Sequence, residues 1–448
     1  MSAALRFGIF GSYNASSQGD LAILESILSQ ITARFPSAEI TVFAFSPHFV
    51  QQALASRPFH VRVTAAHPSA EHAQPRRHPR QLSTSPPPAA KKQKSVKAWF
   101  ASWPLLYDAF LLFRHASFWL QLFRRLRTLD VLLIGGGGLL VDLYPTWPLY
   151  PLLYTFLARL ARTPVTFYAV GMGPVRSLRG KVYFAAALNL SQGISVRDGR
   201  SFVQARRLLF HPEKLIHAAD PAFTLAVPQL AHPKNRKTST HPRVGISTVA
   251  LYRPGDWPTP DAARYTLYIR RMADLVTAVA NTLSAKVILF STNCPKDLHT
   301  AHDIFRLAQP FIQERKIEIF PSCALRDLSA FLPTLDLVVG TRLHSLILAL
   351  LHNVPILALS YQDKVAALCE DLDASDLVFS LQDLINEDKA ASRHSQQQIL
   401  AKITALLNNR EAYRTRATSW LEVQRKAADK NMEMVAEVLE YQGLKARR

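Results

Sequence analysis

The sequence is poor in cysteine and has no long apolar run, and each shortage excludes a class of protein. It has three cysteines in 448 residues, an odd number with no CxxC spacing. This pattern supports neither a disulfide framework nor a structural zinc site, and it predicts a reducing compartment. No window offers the roughly 20 uninterrupted apolar residues that a spanning helix needs. The first residues also lack a signal-peptide core, so we expect folding to start near residue 5.

Motifs of several well-known enzyme classes are absent as well. No HExxH, Walker A or GxSxG motif occurs, which argues against a zinc protease, a P-loop nucleoside triphosphatase and an α/β-hydrolase. The dinucleotide fingerprint GxGxxG is missing too. The 15 histidines are scattered and form no metal-ligand set. The sequence therefore predicts neither a metal nor a cofactor.

The composition is that of a globular protein with an excess of positive charge. Hydrophobic residues make up 48% and charged residues 19% of the chain, which excludes a disordered or fibrous protein as a whole. At roughly 150 residues per domain, the length predicts two or three domains. The formal net charge of +20 bears on partners and solubility rather than on the fold.

Short apolar runs alternate with helical periodicity along both halves of the chain, a pattern typical of α/β layers. The predicted strands of the first half cover residues 6–10, 40–45, 131–134, 165–170 and 194–196. Those of the second half cover residues 244–247, 287–290, 317–320, 335–339 and 356–359. We predict an α/β fold with two similar sheets, one in each half.

Shifts in composition predict the domain organisation. Residues 66–97 are rich in proline and serine and carry seven Lys and Arg against one Glu, which predicts a disordered insertion. A solvated loop is the favoured interpretation, with contact to membrane or nucleic acid as the alternative. Residues 228–242 have the composition of a linker. We therefore predict domains at 1–227 and 243–383, followed by a helical tail at 384–448.

Residues 99–123 are rich in Trp, Phe and Leu and lead into Arg124, Arg125 and Arg127. One interpretation is an interfacial segment whose aromatic rings lie among lipid headgroups while the arginines meet anionic lipid. The other, which is favoured, is a buried amphipathic helix pair with a solvated end.

Several strand ends carry residues suited to ligand binding. Residues 8–14, which include Asn14, are followed by Gly19 and Asp20 at the start of a helical pattern, where free backbone N–H groups bind anions or sugar hydroxyls. Taken alone, Asp20 is better explained as a helix cap. Four glycines at 135–138, including Gly136 and Gly137, follow an apolar strand and predict a ligand crevice at its carboxyl end.

Two further strand ends add positive charge. Gly171 follows the strand at 165–170, and Arg197 ends the next one. A guanidinium there suits a carboxylate or phosphate, but pairing with Asp198 or Asp220 explains Arg197 equally well. Asn293 lies after the strand at 287–290, where it either binds a substrate or forms a turn.

The most specific pattern is the segment at 338–345, which runs from a strand into a helix. Arg342, His344 and Ser345 lie at this junction, where the helix dipole favours an anion and a histidine can act as general acid or base. Lys364 follows the next predicted strand. We expect it to reach the same anion.

Together these motifs resemble the polysaccharide pyruvyl transferase family over roughly residues 5 to 372. The resemblance rests on the order of the segments at 14–20, 134–140, 171–174, 195–198, 220–221, 340–345 and 360–364. It implies two Rossmann-like domains facing across a cleft, as in GT-B glycosyltransferases. It also implies transfer of pyruvate from phosphoenolpyruvate, the donor substrate, onto a saccharide, with formation of a ketal and release of phosphate.

The resemblance also implies roles for individual residues. The family's motif histidine falls on His344, its neighbouring arginine on Arg342 and its following lysine on Lys364. His344 would be the acid/base, and Arg342, Lys364 and Arg197 would hold the donor. Family acceptors are sugars of cell-surface polymers, often lipid-linked during assembly. This agrees with a cytoplasmic enzyme held at the inner membrane face, although residues 66–97 and 99–123 are not part of the family motifs.

Two rival functions remain at this point. A nucleotide-sugar glycosyltransferase has the same architecture, because a fold does not determine function. A non-catalytic scaffold could bind saccharide or membrane through the basic insertion. A nucleic-acid partner is not predicted, because the basic residues outside the insertion are dispersed and form no recognisable binding motif.

Overall fold

The computed structural model describes residues 4–443 except for residues 15, 56, 69–103, 144–145, 228–240 and 314–315. Most of the insertion predicted at 66–97 and most of the linker predicted at 228–242 therefore lie outside the described residues. The same is true of residues 99–103 of the aromatic stretch and of residues 444–448.

The first half of the chain forms one parallel sheet of seven strands in the order β3-β2-β1-β4-β5-β6-β7. Its inner strands are apolar and buried on both faces, as the interior of a doubly wound sheet requires. The strands are β1 Arg6–Phe10, β2 Glu39–Ala44, β3 Val61–Ala65, β4 Val131–Leu140, β5 Val165–Met172, β6 Gly193–Val196 and β7 Leu215–His217.

The second half forms a six-stranded parallel sheet in the order β10-β9-β8-β11-β12-β13. Its strands are β8 Arg243–Ser247, β9 Lys286–Phe290, β10 Ile317–Ile319, β11 Leu337–Gly340, β12 Ile356–Ser360 and β13 Val378–Ser380. The predicted fold class is therefore confirmed, with one parallel sheet in each half.

Helices cover both faces of the sheets, and serine or aspartate caps several of their first turns. The hydroxyl of Ser17, for example, accepts from Asp20 N at the start of the first helix. The helices of the first half are α1 Gln18–Arg34, α2 Pro47–Leu54, α3 Pro104–Arg114, α4 Ala116–Leu126, α5 Leu149–Leu160, α6 Leu178–Leu190 and α7 Gly199–Arg206. Those of the second half are α8 Ala262–Thr282, α9 Lys296–Ala308, α10 Leu325–Phe331, α11 Leu343–Leu351, α12 Asp363–Asp371, α13 Leu381–Leu384, α14 Lys389–Asn408 and α15 Arg410–Tyr441.

Each sheet has one point where the strand order reverses. β1 lies beside β4 in the first sheet, and β8 lies beside β11 in the second. At such a point the connections leave in opposite directions, which opens a crevice at the carboxyl ends of the two strands. The motifs at 8–14, 135–138 and 340–345 all lie at these two positions.

All ten predicted strands overlap an observed strand, but three strands were missed. β3, β7 and β13 lie at sheet edges, and most of their residues are partly exposed. Edge strands carry a weaker apolar signal because only part of each is buried. The placement of residues 135–138 after their strand was also wrong. These glycines continue β4, where Gly135 pairs with Tyr168 and Gly137 with Val170 of β5.

The C-terminal helices connect the two halves. Arg410 at the start of α15 forms an ion pair with Asp336 beside the second sheet. Further along, Asn431 donates to Ala219 O in the first half at 3.0 Å, and Arg425 donates to Phe223 O at 3.3 Å. This helix therefore packs against both domains.

The described part of the aromatic stretch forms α3 and α4. Phe118, Trp119 and Leu122 of α4 pack into the core of the first domain, as expected for the second helix of a buried pair. Phe113 of α3, however, is 85% exposed. Of the helices in the described part of the chain, none combines the length and the hydropathy that crossing a bilayer requires.

Candidate functional site

The loop before α1 attaches the first domain to the second beside the switch points. Gln18 N donates to Thr292 O at 3.0 Å, and Cys294 N donates to Ser16 O at 2.9 Å. The Gln18 side chain accepts from Leu325 N at 3.0 Å. These bonds hold the first turn of α1 against the second domain, where Gly19 also meets His344 of α11.

His344 occupies the second position of α11, directly against Gly19. A Cβ built at Gly19 would lie 2.0 Å from His344 Nδ1, so a hydrogen is the largest group that fits there. On its other side, His344 Nε2 lies 3.6 Å from Asp220 Oδ2. That separation allows an ion pair but is too long for a hydrogen bond. Nε2 is buried without a hydrogen-bond partner among the described residues.

Asp220 is the carboxylate shared by His344 and Arg197. Arg197 Nη1 donates to Asp220 Oδ2 at 2.7 Å, and both side chains are at least nine-tenths buried. Burial opposes ionisation of Asp220, but the charges of Arg197 and His344 outweigh it and hold its pKa well below the usual range. Asp198 lies farther from Arg197, at 3.8 Å, and caps α7 instead. Arg197 therefore pairs with Asp220, one of the two interpretations left open by the sequence.

The guanidinium of Arg197 is also covered by backbone. A Cβ at Gly171 would lie 3.0 Å from Arg197 Nε, so this glycine lets the end of β5 pass close to the side chain. Nε is buried without a hydrogen-bond partner in the described part of the chain. Arg197 thus retains one donor that its pairing with Asp220 does not use.

Lys364 occupies the second position of α12 and is partly buried. Burial lowers its pKa, the charges of Arg197 and Arg342 lower it further, and Asp20 and Asp220 only partly offset them, so that the pKa is about 8. Lys364 therefore lies in one electrostatic environment with residues of both domains. No carboxylate of the described residues lies within ion-pair distance of its ammonium. It is a cation available to an anionic ligand.

Asp20 faces the same group from the first domain. Burial raises its pKa, while His344, Lys364 and Arg197 act in the opposite direction. Its explanation as a helix cap is wrong, because α1 begins at Gln18 and Ser17 supplies the cap. The Asp20 carboxylate instead lies within 3.4 Å of the Ser12 hydroxyl.

The glycines of β4 lie beside Asp20. Gly136 and Gly137 have φ angles of +77° and +100°, which a residue with a side chain adopts only with strain. A Cβ at Gly137 would approach Asp20 Oδ1 to 3.3 Å. Both glycines therefore lie beside Asp20 where β4 neighbours β1, and their role in ligand binding stays a prediction.

Arg342 is largely engaged within its own domain. Its Nε and Nη2 donate to the two oxygens of Asp297 at 2.7 and 2.8 Å, and Nη1 donates to Tyr361 Oη at 3.1 Å. The Asp297 side chain is fully buried and also accepts from Ala250 N. The carboxylate holds the plane of the guanidinium in place and neutralises much of its charge. Arg342 is thus less available to an anion than Lys364.

Sequence reasoning missed Asp297. The residue occupies the first turn of α9, where an aspartate is ordinarily explained by the helix dipole. The only local signal was its position a few residues after the end of β9, at the same sheet edge as Arg342. Recognising the pair required the order of the strands.

Three predicted residues are used elsewhere. Ser345 is fully buried and bonds Ser247 Oγ and Arg342 O at 2.9 and 2.6 Å, so its hydroxyl is engaged within the second domain. Asn14 bonds Ser12 O and Ser16 within its own loop. Asn293 pairs with Ser17 across the domain contact, and its Oδ1 is buried without a described partner.

The cysteine pattern supported no disulfide framework, and the structure contains one disulfide. Cys294 follows β9 and Cys323 follows β10, and the two are joined as a disulfide with Cα atoms 6.1 Å apart. Their 29-residue separation hid the pairing, which depends on β9 and β10 being neighbours in the sheet. Cys369 is free and buried. Among the described residues, no group of three or more His, Cys, Asp or Glu side chains is placed to hold a metal ion.

Comparison with solved structures shows the fold alone, because the identities are low. HepE from Anabaena, solved in complex with UDP-glucose, has a TM-score of 0.55 at 11% identity, over 98% of this chain and 100% of HepE. A putative UDP-N-acetylglucosamine 2-epimerase from Listeria monocytogenes has a TM-score of 0.58 at 11% identity, over 98% of both chains. These neighbours have the GT-B-like arrangement of two α/β domains.

Sequence comparison identifies the family. The amylovoran biosynthesis protein AmsJ of Erwinia amylovora is 23% identical over 328 residues, which cover 71% of this chain and 74% of AmsJ. A family model described as polysaccharide pyruvyl transferase matches residues 19–363. The match contains every predicted site residue except two. Asn14 precedes it, and Lys364 lies one position past its end. Since it covers most of the chain, this protein belongs to the polysaccharide pyruvyl transferase family.

Proposed function

We propose that the protein transfers pyruvate from phosphoenolpyruvate onto a saccharide, forming a ketal and releasing phosphate. The observation that carries the proposal is the grouping of Arg197, His344 and Lys364 around the carboxylates of Asp20 and Asp220 where the two domains meet. Membership of the family supports a transferase that acts on polysaccharide.

The donor carries a carboxylate and a phosphate, which require cations and N–H donors. Lys364 supplies an ammonium without a carboxylate partner, and Arg197 supplies an unused Nε donor. The first turns of α11 and α12 add the positive ends of two helix dipoles. Arg342, held by Asp297 and Tyr361, contributes a fixed guanidinium edge beside them.

In this proposal His344 acts as the acid/base. In the proposed reaction a proton is added to the methylene carbon of the donor, and one sugar hydroxyl forms a bond to the central carbon. The bond from that carbon to the phosphate oxygen breaks, and a second hydroxyl closes the cyclic ketal. The two hydroxyl protons balance the reaction: one corresponds to the proton added to the new methyl group, and the other leaves with the released phosphate. The neighbouring Asp220 carboxylate stabilises the protonated imidazole.

The first domain provides the acceptor side of the crevice in this proposal. Asp20, whose pKa burial raises, is placed to accept hydrogen bonds from sugar hydroxyls, and Gly136 and Gly137 allow the sugar to approach the backbone. Gly19 and the loop before α1, which is bridged through Ser17 to Asn293 of the second domain, fix this wall against His344. The acceptor is a sugar of an extracellular polysaccharide or of its lipid-linked precursor. We place the enzyme in the cytoplasm, in peripheral contact with the inner membrane face.

Phosphate release from phosphoenolpyruvate tests the proposal. The purified chain is assayed with and without β-galactoside, glucose and N-acetylmannosamine acceptors, alongside His344→Ala and the exposed control His302→Ala. We expect acceptor-dependent release that His344→Ala abolishes and His302→Ala preserves. Mass spectrometry of the product should show the acceptor carrying a pyruvate ketal.

Two results would overturn the proposal in favour of its rivals. A nucleotide sugar that protects the protein against thermal unfolding, while phosphoenolpyruvate does not, indicates a glycosyltransferase. Protection by saccharide alone, equal in the wild type and in His344→Ala, indicates a binding scaffold.

A further inference from the structure

Helices α5 and α6 are apolar around most of their circumference. Their inner faces pack on the first sheet through residues such as Tyr154 and Phe184. Their outer faces carry apolar residues four positions apart, with Phe156 and Leu160 on α5 and Leu178 at the start of α6. An ordinary surface helix is polar on its outer face, whereas a helix that is apolar all round is covered on both sides. No described residue covers the outer side of this pair.

Helix α3 extends the same side of the domain. Its Asp108 forms an ion pair with Arg179 of α6 at 3.2 Å and accepts from Tyr183 Oη at 2.9 Å. These contacts attach α3 to α6, while Leu106 and Phe113 of α3 are exposed. We call the following six residues the apolar surface: Leu106, Phe113, Phe156, Leu160, Leu178 and Val182.

The apolar surface lies in a strongly basic part of the chain. Residues 104–190 contain nine Lys and Arg against three Asp and no Glu. The three carboxylates are all engaged within the domain: Asp108 with Arg179, Asp130 with the Arg6 backbone N–H, and Asp142 with backbone N–H groups. The exposed cations of this part include Arg114, Arg159, Arg162, Arg176 and Lys181.

We propose that the apolar surface docks onto an anionic lipid bilayer. Exposed Phe and Leu side chains with cations interspersed are complementary to a bilayer whose headgroups are negative and whose interior is apolar. A second copy of the chain fits less well, because pairing this surface with itself would bring two basic faces together. The surface therefore extends the membrane contact considered for residues 99–123 to α5 and α6.

Docking there places the bilayer near the crevice. Leu178 begins α6, which follows the end of β5, where Gly171 packs against Arg197. A lipid-linked acceptor would then be held beside the first-domain wall. The docking proposal itself does not depend on the donor chemistry, so it is tested by binding and not by turnover.

Co-sedimentation of the full chain with vesicles tests the proposal. Vesicles of phosphatidylcholine alone are compared with vesicles that contain phosphatidylglycerol, at low and high salt. We expect binding to the anionic vesicles that weakens with salt. The variant Leu178→Ser/Val182→Ser and the charge reversal Arg159→Glu/Lys181→Glu should each lower the bound fraction at least about tenfold, since each removes apolar area or two cations from the surface.

Matched changes in the second domain and the C-terminal helices provide the controls. Phe311→Ser/Val423→Ser removes exposed apolar residues there, and Lys389→Glu/Arg393→Glu reverses two exposed cations. Both controls should bind as the wild type does, and circular dichroism should show all variants folded. Binding that is absent, or that falls equally in controls and test variants, overturns the proposal. A different outcome would also overturn it: sedimentation velocity shows that Leu178→Ser/Val182→Ser dissociates a dimer, while vesicle binding is unchanged. The apolar surface would then join two copies of the chain. Phosphate release from the donor is measured without vesicles, so it does not depend on whether the protein binds lipid. Failure of the docking proposal can therefore be distinguished from failure of the proposed function.

Discussion

Gly19 and His344 are in direct contact across the domain interface, and the contact leaves room for a hydrogen only. The position of a Cβ at Gly19 falls 2.0 Å from Nδ1 and 2.3 Å from Cγ of the imidazole. Gly19 belongs to the first turn of α1, and His344 to the first turn of α11. The orientation of the proposed acid/base therefore depends on a residue of the other domain.

Gly19→Ala should impair activity although it favours the helix. Alanine is about 1 kcal/mol better than glycine inside a helix, but here its methyl group must displace the His344 ring or separate the domains. We expect kcat to fall at least about tenfold, as misplacement of a reacting group does. Steady-state phosphate release measures the effect. The control is Gly138→Ala, where a Cβ meets no atom within 4 Å and activity should stay unchanged.

Lys364 should give donor binding an alkaline limit. Its pKa of about 8 means that the free protein loses this positive charge as the pH rises through 8. We expect kcat/KM for phosphoenolpyruvate to fall by up to about tenfold per pH unit above that value. Lys364→Arg stays charged over this range and should remove the limit, at lower overall activity. An unchanged alkaline limb in Lys364→Arg would show that another group is responsible.

The same depressed pKa predicts a change in stability. The lysine binds its proton more weakly in the folded protein than in the unfolded chain, where the pKa is about 10.4. The free energy of unfolding should therefore rise with pH from about 8 to about 10.4 as a result of this residue. Lys364→Met should lack that rise. Urea denaturation of both proteins at pH 7, 8, 9 and 10 measures it.

Asp220→Asn should destabilise the protein strongly at neutral pH. Loss of the carboxylate leaves the buried Arg197 without its partner, which costs about 3–5 kcal/mol. The pKa of Asp220 is lower in the folded state than its unfolded value of about 3.9. The ionised carboxylate therefore contributes to the free energy of unfolding above about pH 3.9, and this contribution is lost as the pH falls toward the folded pKa. The difference between wild type and variant should shrink below about pH 4. The partly exposed cap variant Asp261→Asn should change stability by less than about 0.5 kcal/mol, because asparagine caps as well as aspartate does.

Asp297 and Arg342 should behave as a coupled pair. Asp297→Asn and Arg342→Gln each leave one partner without its counter-charge, and each should lower the free energy of unfolding by about 3–5 kcal/mol. The double variant should be less destabilised than the sum of the two, because no unpaired charge is left. A double-mutant cycle by urea denaturation measures the coupling. Strict additivity would show that the bidentate pair does not form in solution.

The sequence predicted the strands because their signal is local. The predicted strands are short apolar runs, and all ten overlap observed strands, nine of them central and one, β10, at a sheet edge. The edge strands β3, β7 and β13 escaped because they are partly exposed, so burial does not make their sequences uniformly apolar. His344, Lys364 and Gly137 were found because each follows a predicted strand, although their functional roles stay predictions.

Most partners of the site residues could not be read from the sequence, and for Arg197 it left Asp198 and Asp220 as equal candidates. Asp220 meets Arg197 across 23 positions and His344 across 124, and Asp297 meets Arg342 across 45. Ser345, next to His344 in the chain, turns into the second sheet toward Ser247, because successive residues of a helix point in different directions.

The sequence by itself determined the alternation of strands and helices, the carboxyl-end position of the candidate residues and the family, since each depends on a local pattern of residue types. The tertiary structure decided which of those residues meet. Strand order brought β1 beside β4 and β8 beside β11, and the packing of α1 against α11 placed Gly19 on His344. Contacts of this kind depend on how the two domains pack together. A local pattern of residues in the sequence does not specify which distant residues come into contact.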